Sequence, residues 1–180
     1  MRGDKVVHFV CFETGLDSEG FIAQWEQFTR PANTIQEVTL QQSEKNGLFK
    51  YIAQYRCIAG EFDFVFSRAR RSPFSSVTPI RIEQSGGYSI LQFQRMNDAK
   101  PDESKVFAFL INSNADLSVY NKMLPSCKLN IYEAYYENCR YTYILEFFIK
   151  SELTAELLQQ LKQHGVTEIR AYKECIIETS

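Results

Sequence analysis

Hydrophobic and polar positions along the chain switch between a two-residue and a near-four-residue period, and each switch marks an element. The second half is the clearer. Residues 105–112 form a short apolar run rich in Phe, Leu and Ile, which predicts a strand. Asn114-Ala115-Asp116 then opens a helix carrying Leu117, Tyr120 and Leu124 at helical spacing, and Pro125 ends it. Residues 129–136 and 141–149 are aromatic and β-branched, and the polar turn Glu137-Asn138-Cys139-Arg140 joins them as a hairpin. Ser151 is placed to cap a helix whose apolar face is Leu153, Leu157, Leu158 and Leu161. Gly165 stops it, and 166–177 reads as the last strand. The predicted order is β-α-β-β-α-β.

The first half repeats that order less cleanly. Strand 5–12 leads to a helix starting at Asp17 or Ser18 and ending at Arg30, with Phe21, Trp25 and Phe28 on one face. Strands 34–43 and 48–57 flank Glu44-Lys45-Asn46-Gly47, a hairpin loop with a glycine. In 61–70 the spacing of Phe62, Val65, Phe66 and Ala69 predicts a helix. Strand 76–83 should turn at Ser85-Gly86-Gly87 into an extra strand, 88–95. The expected core holds Phe9, Trp25, Phe28 and Tyr51 between helix and sheet in the first half, and Phe109, Tyr143, Leu157 and Leu161 in the second.

The two halves share sequence as well as pattern. Val77-Thr78-Pro79-Ile80-Arg81 matches Val166-Thr167-Glu168-Ile169-Arg170 at four of five positions. Phe49-Lys50-Tyr51-Ile52-Ala53 runs beside Tyr141-Thr142-Tyr143-Ile144-Leu145, and Lys5-Val6-Val7-His8-Phe9 beside Lys105-Val106-Phe107-Ala108-Phe109. The matches keep the same order at slowly drifting offsets, as two copies of one unit with small deletions would. The expected organisation is α+β: a ferredoxin-like repeat over 1–96 with an extra strand, a polar linker over 97–104, and a second ferredoxin-like repeat over 105–180. A tandem pair of βαββαβ units resembles the dimeric α+β barrel superfamily, in which two antiparallel sheets pack face to face. Its members include small cofactor-free monooxygenases, muconolactone isomerase-like enzymes and, with haem, chlorite dismutases. The resemblance covers nearly the whole chain but lies in topology, not in a catalytic motif, and folds of this kind host unrelated functions.

Composition narrows the classes. The chain has 180 residues, 44% of them apolar, with only 8 Gly and 5 Pro, which is enough core for a folded domain without staples. A net charge of −2 gives no general field for nucleic acid or an anionic membrane. No apolar run approaches a membrane span, and the N-terminus has no signal-peptide h-region. The five cysteines are widely spaced and odd in number, so neither a disulfide framework nor a zinc site has its usual signature, and a reducing cytoplasm is the expected address. The tyrosines lack the RNP pattern and the basic stripe that RNA binding on a ferredoxin-like sheet would need.

Chemistry is expected on the sheet face turned away from the helices. Alternation puts Phe49, Tyr51, Ala53, Tyr55 and Cys57 on the helix face and Gln54 and Arg56 on the other; it likewise puts Tyr143, Leu145, Phe147 and Ile149 opposite Glu146. Gln54, Arg56, Arg81, Glu146 and Arg170 are therefore the candidate ligand-binding residues, with His8 as the acid–base candidate. Arg81 and Arg170, gathered near a pseudo-axis, would take an anion. His164, just before Gly165, is suited to closing a helix end and does not supply a convincing haem ligand. No metal or cofactor is expected. The first functional reading is a small-molecule-binding protein of the α+β barrel type, with a cofactor-independent enzyme included. The rival is a structural or interaction module with a solid interior. A homodimer is compatible with both.

Overall fold

The computed structural model describes residues 4–29, 37–45, 48–58, 80–95, 102–112, 114–123, 127–137 and 139–175. The architecture is mixed α+β with antiparallel strand pairing throughout the described ladders. The chain divides into two compact units, Met1–Tyr88 with Cys175–Ser180, and Ser89–Glu174. The division falls inside a strand, earlier than the linker read from the sequence. No helix among the described residues is long and apolar enough to cross a membrane.

The first unit runs β1 (Lys5–Thr14), α1 (Ser18–Thr29), β2 (Glu37–Lys45), β3 (Leu48–Ile58) and the start of β4 (Ile80–Gln92). Its strands pair in the order β4-β1-β3-β2. Asp17 starts α1: its Oδ1 accepts from the Gly20 N–H at 2.8 Å, the position where an N-cap side chain satisfies a free donor. The helix then lays Phe21 on the sheet, stacked on Tyr51 with ring centroids 4.0 Å apart and tilted against Phe12 at 5.4 Å. Register places His8, Val10 and Phe12 opposite Tyr55, Ala53 and Tyr51, so these share the helix-covered face. Val7, Phe9 and Cys11 share the other face with Arg56, Gln54 and Ile52. Phe9 is thus buried, but against Tyr88 at 5.6 Å rather than under the helix as the sequence suggested. The side chains of Trp25 and Phe28 lie outside the description, as does all of 61–70.

Gly86 and Gly87 do not turn the chain. They continue β4, opposite Phe9 and His8, and the register shifts at Cys11 and Phe12, where β4 carries the extra residue Glu83. Residues without side chains are tolerated in a strand where a neighbour's bulk fills the space, and two aromatic rings stand across from them here. The expected extra strand is the far end of the same long one.

The second unit runs β5 (Glu103–Leu110), α2 (Ser118–Asn121), β6 (Lys128–Ala134), β7 (Tyr143–Lys150), α3 (Thr154–Gln163) and β8 (Glu168–Cys175), ordered β8-β5-β7-β6. Ser151 does not cap α3. A single 3-10 turn over Ser151–Leu153 intervenes, and the Ser151 hydroxyl instead pairs with that of Ser104 at 2.8 Å. Gly165, at φ 79°, ends the helix in a Schellman motif: the Val166 N–H reaches the Leu161 carbonyl and the Gly165 N–H that of Lys162. Leu157 and Leu161 are fully buried against Val106, Ala108, Leu145, Phe147 and Ile149. Burying each stabilises the unit by roughly 1.5–3 kcal/mol. Phe109 is buried too, on the opposite face, beside Tyr141 at 5.0 Å.

Candidate functional site

Because α3 covers one face of the second unit's sheet, strand alternation sends a second set of side chains to the other. Register builds that set row by row. Arg170, Phe107, Glu146 and Asn130 form one cross-strand row; Tyr172, Lys105, Phe148 and Lys128 form the next; Glu168, Phe109, Ile144 and Tyr132 lie on the other side. Apart from Lys128 and the half-buried Glu168 and Arg170, these residues are buried, charges included.

Glu146 is the centre. One carboxylate oxygen, Oε1, accepts from the Asn130 amide at 2.9 Å and from the Tyr132 hydroxyl at 2.8 Å. The other, Oε2, lies 3.4 Å from the Lys105 ammonium, with both side chains almost wholly buried (3% and 2% exposed). No hydrogen bond reaches Oε2 among the described residues. A buried ion pair is costly to assemble and holds only when its remaining lone pairs are served. Here one oxygen is fully served and the other is not. Lys105 also lies over the Phe148 ring at 4.9 Å, and Arg95 does the same at 4.9 Å while binding Glu103 at 2.6 Å.

Asn130 makes the cluster rigid. Its Oδ1 accepts from the backbone N–H groups of Gln94 and Arg95, and its amide also donates to the Arg95 carbonyl at 3.1 Å. Gln94 returns a bond, its Oε1 accepting from the Leu129 N–H at 2.9 Å. The segment after β4 is thereby locked to β6, and Arg95 is held where its guanidinium meets both Glu103 and Phe148. Behind this wall the Cys127 thiol donates to the Phe148 carbonyl, and burial followed by the nearby Glu103 charge pushes its pKa up to about 12.

The sequence-predicted residues are divided between the two units. Glu146 and Arg170 do share a row, on either side of Phe107, and Arg170 lies 5.8 Å over Phe109. Gln54 and Arg56 share a face of the first unit's sheet, Gln54 buried with its Oε1 accepting no hydrogen bond among the described residues. His8 is buried on the opposite, helix-covered face, so alternation separates it from the lining it was expected to join. Arg81 is 70% exposed and ion-paired to Glu13 at 2.9 Å, next to Lys50, which bridges Glu13 and Glu83. The exposed Arg81–Glu13 pair is worth at most about 1 kcal/mol. Lys105, Asn130 and Tyr132 were missed by sequence reasoning; polar residues at every second position of 128–132 were the available signal.

No family model matches the chain, and no curated protein is similar to it in sequence. Solved structures are similar in fold. A chlorite dismutase from Candidatus Nitrospira defluvii, an arginine-to-alanine mutant, has TM-score 0.62 at 10% identity, covering 98% of this chain and 93% of that one. A double mutant of the same enzyme gives 0.61 at 10%, with the same coverage, and the enzyme in complex with imidazole 0.59 at 9%. The fold is thus similar to that of the chlorite dismutases. At such identity the likeness concerns fold alone. His164 Nδ1 lies 2.9 Å from the Gln160 carbonyl at an exposed helix end, and leucines fill the space under α3.

Proposed function

We propose that the chain binds a small molecule on the polar face of the second unit's sheet, at Glu146 and Lys105. The carrying observation is the buried Glu146 Oε2, which has a cation beside it but no hydrogen-bond donor among the described residues. A buried carboxylate oxygen in that condition calls for a donor from outside the protein. Tyr132 and Asn130 orient the carboxylate, and Phe107 and Phe148 supply apolar surface beside it. Arg170, in the same row, borders the site. In this reading Glu146 is the acceptor, and proton abstraction by it without a cofactor is the enzymatic version. His8 has no part. The experiment is a thermal-shift screen of small polar and aromatic compounds. Stabilisation by at least one compound, abolished in the Lys105→Met/Glu146→Gln double variant, is expected. If no compound stabilises the protein, or the double variant responds equally, the cluster is only structural and the protein is better read as an interaction module.

Two finer readings accompany it. The strand orders β4-β1-β3-β2 and β8-β5-β7-β6 follow the same scheme when each unit's strands are counted in sequence, which supports tandem ferredoxin-like copies. The odd number and wide spacing of the five cysteines support a reducing, cytoplasmic compartment.

A further inference from the structure

We infer that the Glu146 site takes a neutral hydroxyl donor, and that it does not take an anion. The inference rests on the binding reading above and sharpens it. Charge decides between ligand classes. The Lys105 ammonium is already matched by Glu146 at 3.4 Å, and the Arg95 guanidinium by Glu103 at 2.6 Å. An anion approaching Oε2 meets the carboxylate's own charge in a dry setting, where repulsion is poorly screened. A cation approaching the same atom meets Lys105. A neutral O–H meets neither obstacle and supplies the one bond the carboxylate lacks.

Geometry adds the donor sense. Oε1 accepts from Asn130 and Tyr132, so the free capacity of the carboxylate is concentrated on Oε2, and a carboxylate can only accept. The ligand must therefore donate, and a charge-assisted O–H···O bond is the strong form of that contact. In register, Phe107 stands beside Glu146 and Phe148 lies two residues along the same strand face, both buried, so the carboxylate sits in apolar surroundings.

Four probes of one shape test it: phenol, anisole, benzoate and benzylammonium. Each is titrated into the full chain while the Asn130 side-chain amide and the Tyr132 ring are followed by NMR. Phenol should shift both signals with an affinity at least tenfold above each of the others, since anisole keeps the ring but loses the donor. Glu146→Gln should weaken phenol at least tenfold. Where that variant does not fold, Lys105→Met/Glu146→Gln should show the same loss. Benzoate or benzylammonium binding tighter than phenol overturns the inference and leaves the binding reading standing. Anisole equal to phenol overturns it too. If no probe moves either signal, a bound water alone serves Oε2, and both readings fall.

Discussion

Glu146 illustrates how little separates a stabilising buried charge from a destabilising one. Its carboxylate is tolerable in a dry sheet because Asn130, Tyr132 and Lys105 converge on it. Glu146→Gln alone removes the counter-charge of Lys105 and is expected to cost about 3–5 kcal/mol, as leaving a buried ion unpaired does. Adding Lys105→Met should recover most of that loss, and urea unfolding of the single and double variants measures the coupling. A double variant no more stable than Glu146→Gln would mean that Lys105 is solvated after all. Cys127 gives a second residue-level test. Its thiol, ordinarily near 9, titrates at about 12 because burial opposes the thiolate. The folded protein keeps a proton there that the unfolded chain releases, so stability falls as pH rises from about 9 through about 12. At pH 8 the raised pKa leaves little thiolate, so iodoacetamide should modify Cys127 more slowly in the folded protein than in the urea-unfolded chain, which peptide mass spectrometry follows; equal rates would contradict the shift.

At the scale of elements, α3 is the best specified. Its leucine stripe, the Gly165 stop and the buried Val166 that follows all point to one helix end. Leu157→Ala should cost about 2–5 kcal/mol by urea denaturation, and a loss under about 1 kcal/mol would mean the site collapses freely. The strands were equally legible, because a two-residue period with an aromatic helix face survives in β3 and β7 despite unrelated detail. What alternation alone does not reveal is register. Asn130 and Glu146 meet only because β6 and β7 pair with those residues opposite, and no local signal in either strand announces the partner. Gly86-Gly87 misled for a related reason. A glycine pair reads locally as a turn, whereas its role here depends on the Phe9 and His8 that face it from β1. Ser151 likewise had a cap's position, but Ser104 reached it first.

For the molecule as a whole, the sequence repeat and the compact units put the boundary in different places, and the difference has a physical cause. Repeat matching starts the second copy at Lys105, while the second unit begins at Ser89. The segment between them is wired into β6: Gln92 donates to the Leu129 carbonyl and exchanges amide bonds with Asn121, and Gln94 and Arg95 hold Asn130. A fragment starting at 105 would leave the buried Asn130 Oδ1 without either donor and would strip Arg95 from the Phe148 ring. Each orphaned buried group costs about 1–3 kcal/mol. A fragment spanning 89–174 should therefore unfold at a higher urea concentration than one spanning 105–174, by at least about 2 kcal/mol in extrapolated stability. Amide exchange should also protect Leu129 in the longer fragment and not in the shorter, since the Gln94 side chain caps that N–H. Equal stability and equal protection in the two would show that 89–104 is an appendage and that the repeat, rather than the hydrogen-bond network, defines the folding unit.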